Sequence, residues 1–167
     1  KNIKYYENKG SAQCKSSVML AAVNALGTTF IKAKKSRNHT ELLFKYLQIP
    51  IKVKKTKKYD FIEIKKPKKI SAFNYEIPGD ISSSAFFMVL TTLSNNSKLL
   101  IKNVNINPSR TGIITILKKM GGKISLQNKR DYRGEKISDI LIKSTKNLKG
   151  INCPAKLNSS AIDEFLI

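Results

Sequence analysis

The run Asn74-Tyr75-Glu76-Ile77-Pro78-Gly79-Asp80-Ile81, followed by Ser82-Ser83-Ser84-Ala85-Phe86-Phe87, divides the chain of 167 residues into two similar halves. A short extended stretch meets a Pro-Gly break, and Asp80 with the serines after it then starts an apolar helix. A helix start of the same kind, Ser11-Ala12-Gln13, lies near the beginning of the chain. We therefore interpret the run as a hinge between two copies of one unit.

The first copy is predicted to alternate strands with helices. A helix from about Gln13 to Leu26 is expected because its apolar residues recur at helical spacing and Gly27 follows. A second helix is expected after Asn38, since Asn38 and Glu41 have the spacing of a capping box. Strands are predicted at residues 3–6, 28–33, 51–55 and 59–65, and the second helix is expected to end at about residue 47.

The second copy repeats this order past the hinge. Ser82 to Leu93 is predicted as a helix, and Asn107-Pro108 predicts another helix start, with the helix running to about Met120. Strands are expected at residues 99–104, 123–126 and 137–142. Landmark pairs recur at a nearly constant offset: Ser11 with Ser82, Arg37 with Arg110, and Ile51 with Ile124. An internal duplication of a βαβαββ unit follows, with α/β packing in which helices cover one sheet face.

The charge of the chain is strongly positive, with 32 Lys and Arg residues against 11 Asp and Glu residues and a net charge of +21. Such a balance is typical of nucleic-acid-binding proteins. However, Ile51-Lys52-Val53-Lys54 and Ile62-Glu63-Ile64-Lys65 alternate apolar and charged residues, which is typical of a solvated sheet face. A general composition bias is the favoured interpretation. A positive field that steers phosphorylated substrates is the remaining one.

The composition also limits the setting of the protein. No apolar stretch approaches the roughly 20 residues that cross a bilayer, so no membrane association is expected. Cys14 and Cys153 lack metal-ligand spacing, which favours a reduced, cytoplasmic setting and no metal. The chain begins with Lys1 rather than Met and ends on Phe165-Leu166-Ile167, so we expect it to be a piece of a longer protein.

The helix starts carry groups that suit anions. Unpaired N–H groups and partial positive charge at a helix N-terminus attract phosphate and carboxylate groups. Ser36-Arg37 in the first copy and Ser109-Arg110-Thr111 in the second place a fork-shaped cation beside such a start. Both copies are therefore candidates for binding an anionic ligand.

Five motifs in order resemble the central part of the 5-enolpyruvylshikimate-3-phosphate synthases, and the resemblance covers almost the whole chain. The motifs are Ser11-Ala12-Gln13-Cys14-Lys15-Ser16, Ser36-Arg37-Asn38-His39-Thr40-Glu41, Pro78-Gly79-Asp80-Ile81-Ser82-Ser83-Ser84-Ala85-Phe86-Phe87, Asn107-Pro108-Ser109-Arg110-Thr111-Gly112 and Ile162-Asp163-Glu164.

The resemblance implies two domains, each an inside-out α/β barrel of three such units, that close over the substrates. Residues 1–77 would be the last unit of the domain on the shikimate 3-phosphate side, and residues 78–167 a unit of the other domain. The implied reaction moves the enolpyruvyl group of phosphoenolpyruvate to the 5-hydroxyl of shikimate 3-phosphate. It proceeds by addition to a tetrahedral intermediate and elimination of phosphate, as a step of aromatic amino acid biosynthesis.

The resemblance also implies which residues meet the substrates. Gln13 would approach phosphoenolpyruvate as well as shikimate 3-phosphate, and Arg37 would clamp the 3-phosphate. Asp163 would bind ring hydroxyls and accept the 5-hydroxyl proton, as the catalytic residue. No cofactor is implied, and the whole enzyme is expected to be a monomer that binds no nucleic acid. The implied shikimate 3-phosphate contacts are Ser11, Ala12 (through its backbone), Gln13, Ser36, Arg37 and Asp163.

Several alternatives stay open at this point. A transferase of the same type acting on UDP-N-acetylglucosamine shares the unit, although Ser36-Arg37-Asn38-His39-Thr40-Glu41 favours the shikimate branch. A basic nucleic-acid-binding module would need aromatic residues interleaved with lysines on one face. A non-catalytic remnant would keep the fold alone. His39 is interpreted as structural, and the role of Glu164 is left undecided. Groups outside this chain complete the implied site, so the chain alone is expected to have no turnover.

Overall fold

The structure is a computed structural model that describes residues 1–167. It divides the chain into two units, Lys1–Tyr75 and Glu76–Ile167. The division falls inside the quoted run and close to the predicted boundary after residue 77. That the two units belong to different domains of a larger enzyme stays a prediction. None of the helices has the length and apolar content that a membrane crossing needs.

The first unit has the predicted βαβαββ order. Its sheet has the strand order β1-β2-β4-β3, with β1 parallel to β2 and the other neighbours antiparallel. The elements are β1 (Ile3–Glu7), α1 (Ala12–Ala22), β2 (Thr28–Lys34), α2 (His39–Tyr46), β3 (Ile51–Lys55) and β4 (Tyr59–Lys65).

Strand alternation gives this sheet one buried face and one solvated face. Ile31 and Ala33 of β2 and Ile62 and Ile64 of β4 are buried, and they pack with Met19, Ala22, Phe44 and Ile49 from the helices and the α2–β3 connection. On the opposite face, Lys32 and Lys34 of β2 and Phe61 and Lys65 of β4 are exposed, and Glu63 is half-buried. The predicted lysine-bearing sheet face is confirmed.

Two predictions for the helices of this unit are wrong. Helix α1 ends at Ala22 rather than Leu26, because the N–H groups of residues 23–25 bond to carbonyls three residues back, which tightens the chain into a turn. Gly27 closes this turn with φ of +105°, where an added Cβ would lie 2.9 Å from the carbonyl oxygen of Lys1. Helix α2 starts after Asn38 as predicted, but Asn38 makes no side-chain cap bond. The capping box does not form because Glu41 turns inward to Lys15.

The second unit repeats the topology with a reduced first strand. Gly79 forms a single parallel bridge to Val104. The N–H of Gly79 donates to the carbonyl oxygen of Asn103 at 2.9 Å, and the carbonyl oxygen of Gly79 accepts from the N–H of Asn105 at 2.9 Å. This bridge stands where β1 stands in the first unit, which confirms the duplication. The sheet order is β5-β7-β6, and the elements are α3 (Ile81–Leu93), β5 (Lys98–Asn105), α4 (Gly112–Lys119), β6 (Lys123–Tyr132), β7 (Glu135–Lys143) and α5 (Asn158–Ala161), with short 3₁₀ turns at Ala155–Leu157 and Ile162–Glu164.

The predicted start of α4 at Asn107-Pro108 is wrong. The helix begins at Gly112 after Thr111, since Asn107 instead closes a turn in which its Oδ1 accepts from the N–H of Ser109 at 3.0 Å and from the Ser109 hydroxyl at 2.7 Å. This turn lengthens the connection between β5 and α4 and places Arg110 in it.

Candidate functional site

The loops that follow β1 and β2 lie side by side at one edge of the first sheet. The two strands are parallel, so both chains leave the sheet at the same edge, which is where α/β proteins commonly bind ligands. Gly10 has φ of +81°, and a Cβ there would lie 3.5 Å from the carbonyl oxygen of Lys35. The implied contact residues Ser11 to Gln13 and Ser36-Arg37 therefore belong to adjacent segments.

Helix α1 begins with an exposed polar start. Ser11 is its N-cap, and the Ser11 hydroxyl oxygen accepts the N–H of Cys14 at 3.2 Å. A hydroxyl that accepts one bond can still donate its own hydrogen to a ligand oxygen. The first turn carries no acidic residue. Ala12 is half-buried and Gln13 is exposed, so this helix end is open to an anion.

The loop before α2 contributes the second half of this cluster. The Ser36 hydroxyl oxygen is buried and has no hydrogen-bond partner in the protein. A buried hydroxyl without a partner is costly, unless a ligand oxygen satisfies it. The half-buried Arg37 follows directly, and its carbonyl oxygen accepts a hydrogen bond from Lys15 at 2.8 Å.

Lys15 is the residue of this cluster that sequence reasoning missed. Its side chain is fully buried, and its Nζ lies 2.6 Å from Oε1 of Glu41 at the start of α2. Next to this pair, the hydroxyls of Ser16 and Thr40 also join the two helices at 2.6 Å. A signal was present, because Lys15 falls on the apolar helix face that also carries Met19. A lysine there needs a buried partner.

A second buried carboxylate holds the loop before Ser11. Glu7 accepts the N–H groups of Lys9 at 2.8 Å and Gly10 at 2.9 Å. Burial raises the pKa of the Glu7 carboxyl, but the backbone N–H groups of this loop and the charge of Lys15 outweigh burial and lower it. Glu7 is therefore an anionic anchor for the turn that leads into α1.

The corresponding cluster of the second unit contains acidic side chains. Asp80 is the N-cap of α3, as predicted, and accepts the N–H of Ser83 at 2.8 Å. The guanidinium of Arg110 donates to the Ser82 hydroxyl at 2.5 Å and lies 3.3 Å from a carboxylate oxygen of Asp80. It also lies 3.9 Å from Asp163. Carboxylates of the chain itself thus engage this guanidinium.

Asp163 and Glu164 differ in their surroundings. Asp163 has 55% of its side chain exposed beside Arg110, whereas Glu164 is buried and accepts a hydrogen bond from the Ser82 hydroxyl. Glu164 therefore contacts the start of α3 within the second unit. Of the predicted contact residues, the first unit brings together Ser11, Ala12, Gln13, Ser36 and Arg37, and the second unit holds Asp163. No group of three or more His, Cys, Asp and Glu side chains could hold a metal ion.

These features define a class of protein: an α/β protein of repeated βαβαββ units, with hydroxyls and a guanidinium gathered at helix starts. The family model described as EPSP synthase (3-phosphoshikimate 1-carboxyvinyltransferase) matches residues 1–165. The chain belongs to the EPSP synthase family.

Individual relatives agree with this assignment. The chain is 46% identical over 166 residues to the 3-phosphoshikimate 1-carboxyvinyltransferase of Thermoanaerobacter sp. (strain X514), covering 99% of the chain and 38% of the relative. It is 42% identical to the protein of that name from Hydrogenovibrio crunogenus, covering 99% of the chain and 37% of the relative. It also resembles the solved EPSP synthase from Acinetobacter baumannii, with a TM-score of 0.86, 38% identity, and coverage of 99% of the chain and 37% of that structure. The chain therefore spans less than two fifths of the length of these relatives.

Proposed function

We propose that this chain is part of an enzyme that transfers the enolpyruvyl group of phosphoenolpyruvate to the 5-hydroxyl of shikimate 3-phosphate. The family assignment supports the reaction, and the names of the relatives favour this branch over the one acting on UDP-N-acetylglucosamine. Because the chain spans only part of its relatives, we expect it to bind a substrate without turnover.

The observation that carries the proposal is the cluster at the edge of the first sheet. Ser11 at the N-terminus of α1 and Ser36-Arg37 in the next loop offer hydroxyls, helix N–H groups and a guanidinium to one phosphate. No acidic residue lies in the first turn of α1, so this helix start favours a phosphate oxygen.

Each residue has a distinct role in this proposal. Ser11, the backbone of Ala12 and the Ser36 hydroxyl bind the 3-phosphate, and Arg37 neutralises it with two parallel hydrogen bonds. Gln13 binds shikimate 3-phosphate and approaches phosphoenolpyruvate.

Asp163 binds ring hydroxyls and accepts the proton of the 5-hydroxyl as that oxygen forms its bond to C2 of phosphoenolpyruvate. A carboxylate is suited to polarise an alcohol in this way. Protonation of the methylene carbon completes the tetrahedral intermediate, and loss of phosphate with a methyl proton gives the product. No residue of this chain is proposed to donate the proton to the methylene carbon.

The binding step is tested by two-dimensional NMR titration of the chain with shikimate 3-phosphate up to millimolar concentration. Amide shifts are expected at Ser11 to Gln13 and at Ser36-Arg37, and shikimate without the phosphate should not produce them. Arg37→Lys keeps the charge but loses the fork, so affinity should fall about tenfold or more, or by about 1.4 kcal/mol. Arg133→Lys is the matched control in the second unit. An absence of shifts in the parent chain would overturn the proposed binding role.

A second candidate function has one observation in its favour. The solvated face of the first sheet interleaves exposed aromatic rings with lysines, as a nucleic-acid-binding module requires. Tyr6, Phe30 and Phe61 are 50%, 38% and 41% exposed, and a depression of about 540 Å³ on this face is also lined by Lys4, Lys32, Lys52 and Lys54. Four strands carrying aromatic residues that stack bases are a known RNA-binding arrangement.

The electrostatics of this face agree with a polyanionic ligand. Lys32 Nζ lies 5.0 Å from the ring centre of Tyr6 and 4.7 Å from that of Tyr59, and the two phenol oxygens are 3.2 Å apart. The hydrogen bond from Tyr6, followed by the charges of nearby lysines, lowers the pKa of Tyr59. Glu63 is the single acidic residue that the strands place on this face.

A further inference from the structure

The buried ion pair of Lys15 and Glu41 connects the two segments that the proposed function assigns to shikimate 3-phosphate. The Lys15 side chain has no exposed surface, and that of Glu41 is 4% exposed. Taking two charges out of water costs free energy that offsets much of their mutual attraction. A buried pair of this kind is therefore weak evidence for a role in stability alone. Its contacts indicate a second role.

The Nζ of Lys15 reaches both halves of the proposed site. Besides Glu41, it donates to the carbonyl oxygen of Arg37 at 2.8 Å, which fixes the loop before α2 at the residue expected to clamp the phosphate. Its charge also lowers the pKa of Glu7, together with the N–H groups of residues 9–11 that Glu7 binds. One buried cation thereby acts on the loop before α1 and on the loop before α2.

We infer that Lys15 is a positioning residue that sets the placement of the Arg37 backbone relative to the start of α1, and so the spacing of the groups around the 3-phosphate. This inference rests on the proposed function. Lys15 itself does not touch the ligand, because its side chain has no exposed surface.

The test separates positioning from stability with a double variant. Lys15→Met alone leaves Glu41 buried without its cation and is expected to destabilise the unit. Lys15→Met with Glu41→Met replaces the pair by apolar side chains of similar length, a change that is often neutral or stabilising. The double variant should therefore fold, but the Arg37 carbonyl has lost its donor. Lys45→Met removes the same charge from an exposed position of α2 and is the matched control.

The measurement is the affinity of each chain for shikimate 3-phosphate by NMR titration, with urea unfolding of the same samples. We expect the double variant to unfold at a urea concentration close to that of the parent and to bind at least tenfold more weakly. Lys45→Met should match the parent in both. Parent-like affinity in the folded double variant would overturn the positioning role while leaving the proposed function intact. A parent chain that does not bind would overturn both.

Discussion

The carboxylate of Asp139 accepts a hydrogen bond at 2.9 Å from the side-chain amide of Asn128. Its other oxygen accepts the backbone N–H of Asn103, also at 2.9 Å. Asn103 and Asn128 have φ of +55° and +49° and stand at the irregularities of β5 and β6. One carboxylate on the central strand therefore anchors a bulge in each neighbouring strand.

Replacing Asp139 by Asn should lower the urea midpoint of the second unit, since the Asn side chain has one accepting oxygen and its NH2 group can only donate. Asp131→Asn, at a side chain that is 81% exposed, should leave the midpoint unchanged. The Asn128 amide, followed by the Asn103 N–H, lowers the pKa of Asp139. The advantage of the parent over Asp139→Asn should thus be complete above about pH 4, the ordinary range of Asp, and disappear as the pH falls through the lowered pKa. A difference that persists at the acid end would contradict this assignment.

The anchor at Glu7 predicts an acid sensitivity of the first unit. Glu7→Gln should destabilise the unit by about 1–3 kcal/mol at neutral pH, because a buried backbone N–H loses a charged acceptor. The pKa of Glu7 is lowered from 4.5, so its contribution is complete above that value and declines as the pH falls below it.

Unfolding curves of Glu7→Gln and the parent should therefore converge in acid. Glu63→Gln on the solvated sheet face serves as the control, with the parent's stability at every pH. If the difference in stability between Glu7→Gln and the parent does not change with pH, this carboxylate does not anchor the loop.

The close packing of Gly112 predicts that the segment carrying Asp163 is held against α4 at this glycine. An added Cβ there would lie 2.5 Å from the Ser160 hydroxyl oxygen and 2.8 Å from the Cβ of Ala161. Gly112→Ala should displace α5 from α4 and expose residues 155–167 to limited proteolysis. Gly150→Ala, where an added Cβ meets nothing within 4 Å, should show the proteolysis pattern of the parent. Equal protection in both variants would mean that this segment is held elsewhere.

The solvated sheet face predicts a salt-dependent affinity for single-stranded nucleic acid. Fluorescence anisotropy with a labelled oligonucleotide should give weaker binding and a smaller salt slope after Lys52→Ala with Lys54→Ala, since fewer counterions are released. Lys118→Ala with Lys119→Ala removes the same charge from the end of α4 and should have less effect. Phe61→Ala should weaken binding more than Phe86→Ala on α3. If both lysine pairs reduce binding equally, the affinity reflects net charge and not this face.

The sequence pattern was sufficient for the order of elements, because strand and helix periods are local properties of the chain. The bounds of β3 and β4 were predicted correctly for this reason. The predictions at Asn38 and Asn107 were wrong because a cap or a turn depends on which nearby groups hydrogen-bond to the side chain in the folded protein. Glu41 pairs with Lys15 from another helix, and no local spacing contains that contact.

The candidate site divides in the same way. The resemblance to the family predicted Ser11 and Arg37 as substrate contacts. The parallel pairing of β1 and β2 explains why their segments adjoin. The position of Lys15 on the apolar face of α1 was a signal that the sequence carried, whereas Glu7 was not predicted as a site residue because its burial depends on the packing of the whole unit. The sequence left Glu164 undecided for that reason as well, and its contact with Ser82 spans most of the second unit.

The single bridge at Gly79 leaves residues 98–102 of β5 without a strand partner on their outer side within their unit. An open strand edge offers its amide and carbonyl groups to any extended chain, including another copy of itself. Lys98 and Lys102 are exposed on this stretch, and two such edges brought together would set like charges against each other. Self-association through β5 should thus be held off by charge repulsion at low ionic strength and should increase as added salt screens it.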